Sequence, residues 1–122
     1  AIQLKITIPI SVGELLDKIS ILQIKSQYTD NLYVTKELES LIEIAKQFKV
    51  FDFEYFDQLF EVNQNLWKIE DELRILEKSQ DFGDTFINLA RSVYNMNDRR
   101  ASIKKQINEK YNSSYKEIKI HK

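Results

Sequence analysis

The residues able to do chemistry in this sequence recur at helical spacing in two stretches near its middle. Phe56, Phe60, Asn63, Trp67, Glu70, Arg74 and Glu77 follow one another every three or four residues, and so do Ala90, Tyr94, Asn97, Ala101, Lys104 and Asn108. That spacing sets side chains on one helical face. A turn centred near residue 82 would bring the two stripes together in an antiparallel pair, with Glu70 level with Tyr94, Trp67 with Asn97, and Arg74 with Ala90 and Arg91. Glu14, Lys18 and Lys25, at i, i+4 and i+11, add a third polar set, with Asp17 beside them. A cleft among the three would suit a nucleotide or sugar phosphate. Lys18, Arg74, Arg91 and Lys104 would hold phosphate, Trp67 or Tyr94 would stack on a ring, Asn97 lies among them, and Glu70, Asp71 and Asp98 would hold magnesium.

The same residues have a structural reading, and it is the favoured one. Glu14 to Lys18 and Glu70 to Arg74 are carboxylate-first i, i+4 pairs of the kind that stabilise a helix by about 0.2–0.5 kcal/mol. Asparagine or lysine on a helical seam sets register or oligomeric state. Asp71 and Asp98 sit among arginines and lysines and read as halves of ion pairs. The leading expectation is a non-enzymatic binding or assembly module. The alternative is a magnesium-dependent helical-bundle enzyme, or a binder, acting on a nucleotide or sugar phosphate. Whether the protein is an enzyme stays open, and no catalytic residue is singled out.

Composition narrows the field further. The 122 residues are 43% hydrophobic and 30% charged, with two glycines and one proline, too few turn residues for an all-β domain. Cysteine is absent, which removes disulfides, thiolate nucleophiles and cysteine-bearing metal sites. The one histidine, His121, stands next to the end of the sequence, so histidine triads and two-histidine metal sites are excluded. The longest uncharged stretch, Ile6 to Gly13, is far short of the roughly 20 apolar residues of a membrane span. A cytoplasmic protein that does not enter a membrane is expected.

These constellations need long helices to position them, and the patterning supplies four. Ser11-Val12-Gly13-Glu14 has the form of a capping box and opens a helix over about 12–28. Val34, Leu38, Leu41, Ala45 and Phe48 mark a second over about 31–48. Leu59, Val62, Leu66, Ile69, Leu73 and Leu76 form an unbroken three-four seam on a third, about 53–79. After an interruption at Gly83, the seam resumes with Phe86, Leu89, Val93, Met96, Arg100, Ile103 and Ile107 on a fourth, about 84–111. The third and fourth make an antiparallel hairpin. Leu4 to Ile10 and Tyr115 to Ile120 alternate apolar and polar residues, which predicts short terminal strands that pair with each other. The fold expected is mainly α, a single helical domain over 1–122 in which an antiparallel bundle of about four helices carries those two strands. The aromatic cluster Phe51, Phe53, Tyr55, Phe56 and Phe60 reads as a core plug at the start of the third helix.

Charge is unevenly spread. From Asp52 to Asp84 ten acidic residues face three basic ones, a balance of −7, and from Arg99 to Lys122 eight basic residues face two acidic ones, a balance of +6. With a net charge of −1, pairing of this basic segment with acidic neighbours is favoured over nucleic-acid binding. Seams on two helices offer more surface than one small fold covers, so a homodimer is expected. A protein partner or a phosphorylated small molecule are the other partners considered.

Three blocks together resemble a bacterial family of unknown function whose domain is sometimes found beside or fused to surface-polysaccharide glycosyltransferases. The first runs from Ile8 to Lys25, with Gln23 where that family usually has Glu. The second is Leu66-Trp67-Lys68-Ile69-Glu70-Asp71 with Arg74 and Glu77, and the third is Leu89 to Tyr94, then Asn97 to Lys104, Ile107 and Asn108. The resemblance implies a helical fold, a bacterial or bacterial-virus source and a role accessory to sugar-transfer machinery, and it brings no activity. Lys116-Glu117-Ile118-Lys119-Ile120 departs from the family's usual Glu-Glu-Lys ending and leaves the C-terminal segment without an implied role.

Overall fold

A computed structural model describes residues 3–119. Four helices follow one another: α1 (Val12–Ser26), α2 (Leu32–Gln47), α3 (Phe53–Lys78) and α4 (Asp84–Lys110). Each expected helix is present, with ends within two residues of the patterning. The start of α1 is capped by Ser11, whose Oγ accepts from the Glu14 N–H at 3.1 Å. Asn31 and Asp52 cap α2 and α3 in the same way, which satisfies N–H groups that the first turn leaves unpaired.

The helix α1 is apolar almost all round, and that composition places it at the centre. Leu15, Leu16, Ile19, Leu22 and Ile24 are buried, and α1 packs against α2 on one side and against both α3 and α4 on the other. The narrow stripe of α2 buries Leu38 and Ala45 against α1. From the hairpin, Leu59, Val62 and Leu66 of α3 and Ile103 and Ile107 of α4 complete the core. Phe51, Tyr55 and Phe56 pack against its edge, with Phe51 and Phe56 rings 5.1 Å apart and Phe56 and Phe60 6.1 Å apart. Phe53 is largely exposed, so the expected plug holds for part of that cluster.

Three of the helices end on a left-handed residue that is not glycine: Lys49 (φ 57°), Gln80 (φ 54°) and Asn112 (φ 49°). After each, the next N–H reaches back to a carbonyl five residues earlier: Val50 to Ala45, Asp81 to Leu76 and Ser113 to Asn108, each at 2.9 Å. This closure ties off the last orphan carbonyls and turns the chain sharply. The α3–α4 turn therefore pivots on Gln80, and Gly83 serves as the N-cap of α4 without a positive φ.

The terminal strands are not formed. No strand occurs among the described residues; Leu4, Ile6 and Ile8 are well exposed, as is Ile118. An alternating segment becomes a strand only when it has a neighbour to share its hydrogen bonds, and Pro9 removes one donor from the first segment. The second is held instead by side chains, since Glu117 pairs with Lys104 and Lys119 with Asp98, both on α4. Ile120, the end of the expected second strand, and His121 lie outside the described residues.

Beyond α1 the hairpin continues as a two-helix arm. From Trp67 through the turn to Ser102 no residue is buried. The seam residues Ile69, Leu73, Leu76, Phe86, Leu89, Val93 and Met96 are each half-buried, because two helices cover one side of each seam and leave the rest to solvent.

Candidate functional site

The polar stripes expected on α3 and α4 exist, and their proximal halves face α1. At their centre stands Asp17, fully buried on α1. Its Oδ1 accepts from Arg100 Nε and from Asn63 Nδ2, each at 2.9 Å, and its Oδ2 accepts from Arg100 Nη2 at 2.5 Å. The two parallel bonds form the bidentate fork that suits guanidinium to carboxylate. Asn63 also donates to Ser20 Oγ at 2.7 Å, and Ser20 in turn donates to the Asp17 carbonyl. The hydrogen bond to Asp17 raises the Arg100 pKa above its ordinary value, against the opposing effect of burial. One ionic group thus ties α1, α3 and α4 together.

One turn beyond Arg100 on α4, Lys104 is buried and its Nζ lies 3.1 Å from Glu14 Oε2 and 3.3 Å from Glu117 Oε2. One turn further along α4 stands Asn108, whose Oδ1 accepts from the Gly13 N–H at 2.7 Å. Ser113 Oγ accepts from the Val12 N–H at 3.1 Å. A Cβ at position 13 would lie 2.7 Å from the Lys104 carbonyl and 2.9 Å from Asn108 Oδ1, so glycine is needed here for close approach of α1 to α4. At the base of the hairpin, Asp52 Oδ2 accepts from Lys110 Nζ at 2.6 Å and Tyr111 Oη at 2.7 Å, while Oδ1 caps Tyr55. Burial tends to raise the Asp52 pKa, but these hydrogen bonds and the Lys110 charge outweigh it and bring the value down to about 2.

Chemically, these groups hold one another. Both oxygens of Asp17 are occupied, Lys104 lies between two carboxylates, and Asp52 is shared by three donors. Of the basic residues on α4, Arg100, Lys104 and Lys110 are paired within the chain, and Arg91, Arg99 and Lys105 are in no ion pair among the described residues.

Of the expected site residues, Lys104 is the one drawn into this centre. Lys18, Glu70, Asp71, Arg74 and Arg91 are exposed, and no ion pair among the described residues includes them. Glu14 pairs with Lys104 instead of Lys18. Trp67 stacks on Tyr28 with ring centroids 5.1 Å apart and planes at 15°. Tyr94 is exposed and Asn97 half-buried on the arm. Asp98 pairs with Lys119. No group of three or more histidine or acidic residues among the described residues is placed to hold a metal ion, so Glu70, Asp71 and Asp98 are not brought together as such a group.

The reading by spacing missed the partnership of Asp17 with Arg100. The signal was present. Asp17 is bracketed by Leu15, Leu16 and Ile19, and Arg100 occupies a seam position between Met96 and Ile103. Two opposite charges on apolar faces call for each other, because a buried charge without a partner is costly.

Comparison with known proteins adds one relationship. A family model described as a family of unknown function, DUF6165, matches residues 5–121, which includes all three blocks noted in the sequence. No curated protein and no solved structure matches. No helix of the described residues is long and apolar enough to cross a membrane.

Proposed function

The chain belongs to the DUF6165 family of unknown function, and on that premise we propose that it is a non-enzymatic assembly module that associates with a second copy of itself through the distal arm of α3 and α4. The observation that carries this reading is the arm's half-covered seam. Seven apolar seam residues stay partly open to solvent, and Ile75, Phe82 and Ile87 beside them are exposed at 64%, 51% and 44%. An antiparallel pair of helices closes such a seam by packing against another pair, giving a four-helix bundle.

A second copy suits the seam as its occupant, because a two-fold contact sets the same half-covered apolar surface of each copy against the other. The buried ionic groups fit the same reading, because they fix how α1 and the arm's base are held and leave no carboxylate there open to a substrate. A bacterial or phage source, a cytoplasmic location and service to sugar-transfer machinery complete the proposal; they rest on the family resemblance and on composition.

A second reading draws on one observation. Lys18, Glu70, Arg74 and Arg91 are exposed and outside every ion pair named above, and Trp67 of α3 stacks on Tyr28, just beyond the end of α1. These groups, with Tyr94 and Asn97, would serve a magnesium-dependent nucleotide or sugar phosphate site. The two readings separate by hydrogen exchange. Under the assembly reading, amides of residues 67–100 gain protection as protein concentration rises through the micromolar range. Under the second they gain it on addition of a magnesium nucleotide at fixed protein concentration.

A further inference from the structure

We propose that the Tyr28–Trp67 ring stack at the base of the arm is the docking site for the Phe82–Phe86 tip of a second copy of the chain. The inference rests on the assembly reading and names the contact that sets its register. The arm has one face that α1 leaves uncovered. Asn63 of α3 and Lys104 and Asn108 of α4 meet α1, and their stripes run on outward as Trp67, Glu70, Arg74 and Glu77 on α3 and as Asn97, Tyr94 and Ala90 on α4, the same face of each helix. The helix α1 ends at Ser26, and Tyr28, two residues on, stacks on Trp67. Beyond Trp67 that face is an open ledge.

The ledge fits an arm of its own length. A two-fold contact of antiparallel arms, with its axis across them, lays α3 on α3 of the second copy and carries each tip toward the other's base. The end of α1 and Tyr28 stand beside Trp67, so an incoming hairpin stops there with Phe82 at the stack. From Trp67 to Lys78, where α3 ends, the helical rise gives about 18 Å. Each copy both supplies that length and receives it.

The chemistry of the two ends matches. Phe82 is 51% exposed and meets Phe86 edge-on, with centroids 5.2 Å apart and planes at 89°. Tyr28 is 60% exposed although its ring covers one side of Trp67. Rings brought together in this way bury large area and pair edge-to-face or offset. The same register sets Arg74 within a helical turn of Glu77 of the second copy, twice by symmetry, and sets Glu70 against the uncharged Ser79 and Gln80. Arg74 and Glu77 are exposed and in no ion pair among the described residues. One face thus carries both halves of each pairing, ring tip with ring base and cation with carboxylate, in the order an antiparallel copy needs, which selects a second copy over an unrelated partner.

Trp67 is the chain's one tryptophan, so its fluorescence reports this site alone. The test follows acrylamide quenching of Trp67 and the light-scattering mass of the full chain over the same micromolar range. The docking predicts that quenching falls as the mass doubles. Phe82→Ala, at an exposed position, is expected to raise the dimer dissociation constant about tenfold, the effect of a lost aromatic contact. Arg74→Glu is expected to weaken the dimer, and Arg74→Glu combined with Glu77→Arg to restore it. A mass that doubles with quenching unchanged, or a Phe82→Ala or Arg74→Glu variant that dimerises like the parent, would overturn the docking and leave arm association standing. A single-chain mass throughout would overturn both.

Discussion

Arg100 and Asp17, eighty-three residues apart in sequence, meet in a bidentate ion pair at 2.9 and 2.5 Å, with the Asp17 side chain wholly buried. The pair joins the central helix to the hairpin, and Asn63 and Ser20 use the remaining hydrogen-bonding capacity around it. It sets the base from which the arm projects.

Breaking that pair leaves a buried charge unanswered, which costs about 3–5 kcal/mol. Arg100→Met is expected to lower the unfolding free energy by that order. Asp17→Asn combined with Arg100→Met removes both charges and is expected to recover a large part of the loss. Urea denaturation of the two single variants and the double variant measures the coupling. Additive losses would show that the pair is not the tie described.

Stability at low pH should follow Asp52. Its pKa is lowered from 3.8 to about 2 in the folded chain, so its contribution is fully present above the unfolded value and is lost as pH falls from 3.8 through 2. Asp52→Asn keeps an oxygen to cap α3 and removes the titration. Over this interval the variant should lose less stability than the parent. Equal pH slopes in acid denaturation would contradict the assignment.

Gln80 holds the α3–α4 turn at φ 54°, a conformation that glycine adopts without steric cost and other L-residues adopt with some. Gln80→Gly is expected to stabilise the chain by about 0.5–1 kcal/mol, read as a rise in melting temperature of a few degrees. A drop would mean that the Gln80 side chain contributes a contact worth more than the strain.

The helices were legible because α2, α3 and α4 each carry an apolar repeat of three and four, and because Ser11 and Glu14 form a capping box at the start of α1. The polar stripes, with Asn63 on α3 and with Lys104 and Asn108 on α4, were legible for the same reason, since spacing alone puts the residues of each stripe on one face of its helix. Their partners were not. That Lys104 would choose Glu14 and Glu117, or that Arg100 would leave its seam for Asp17, depends on how α1 crosses the hairpin, and periodicity along one helix does not carry that angle. The left-handed ends at Lys49, Gln80 and Asn112 went unseen because the usual marker, glycine, is missing there. The terminal strands were misread because alternation reports what a segment could pair with, and neither segment has a strand beside it. Gly13 shows the converse: its role is set by a carbonyl of α4 ninety residues away.

Self-association through the arm is tested most directly by multi-angle light scattering of the full chain across micromolar concentrations, beside an Ile75→Lys/Ile87→Lys variant. The account predicts twice the chain mass for the parent, and the single-chain mass for the variant with its helical content unchanged, because both substitutions fall on exposed positions. A parent that runs at the single-chain mass throughout, or a variant that remains double, would contradict it.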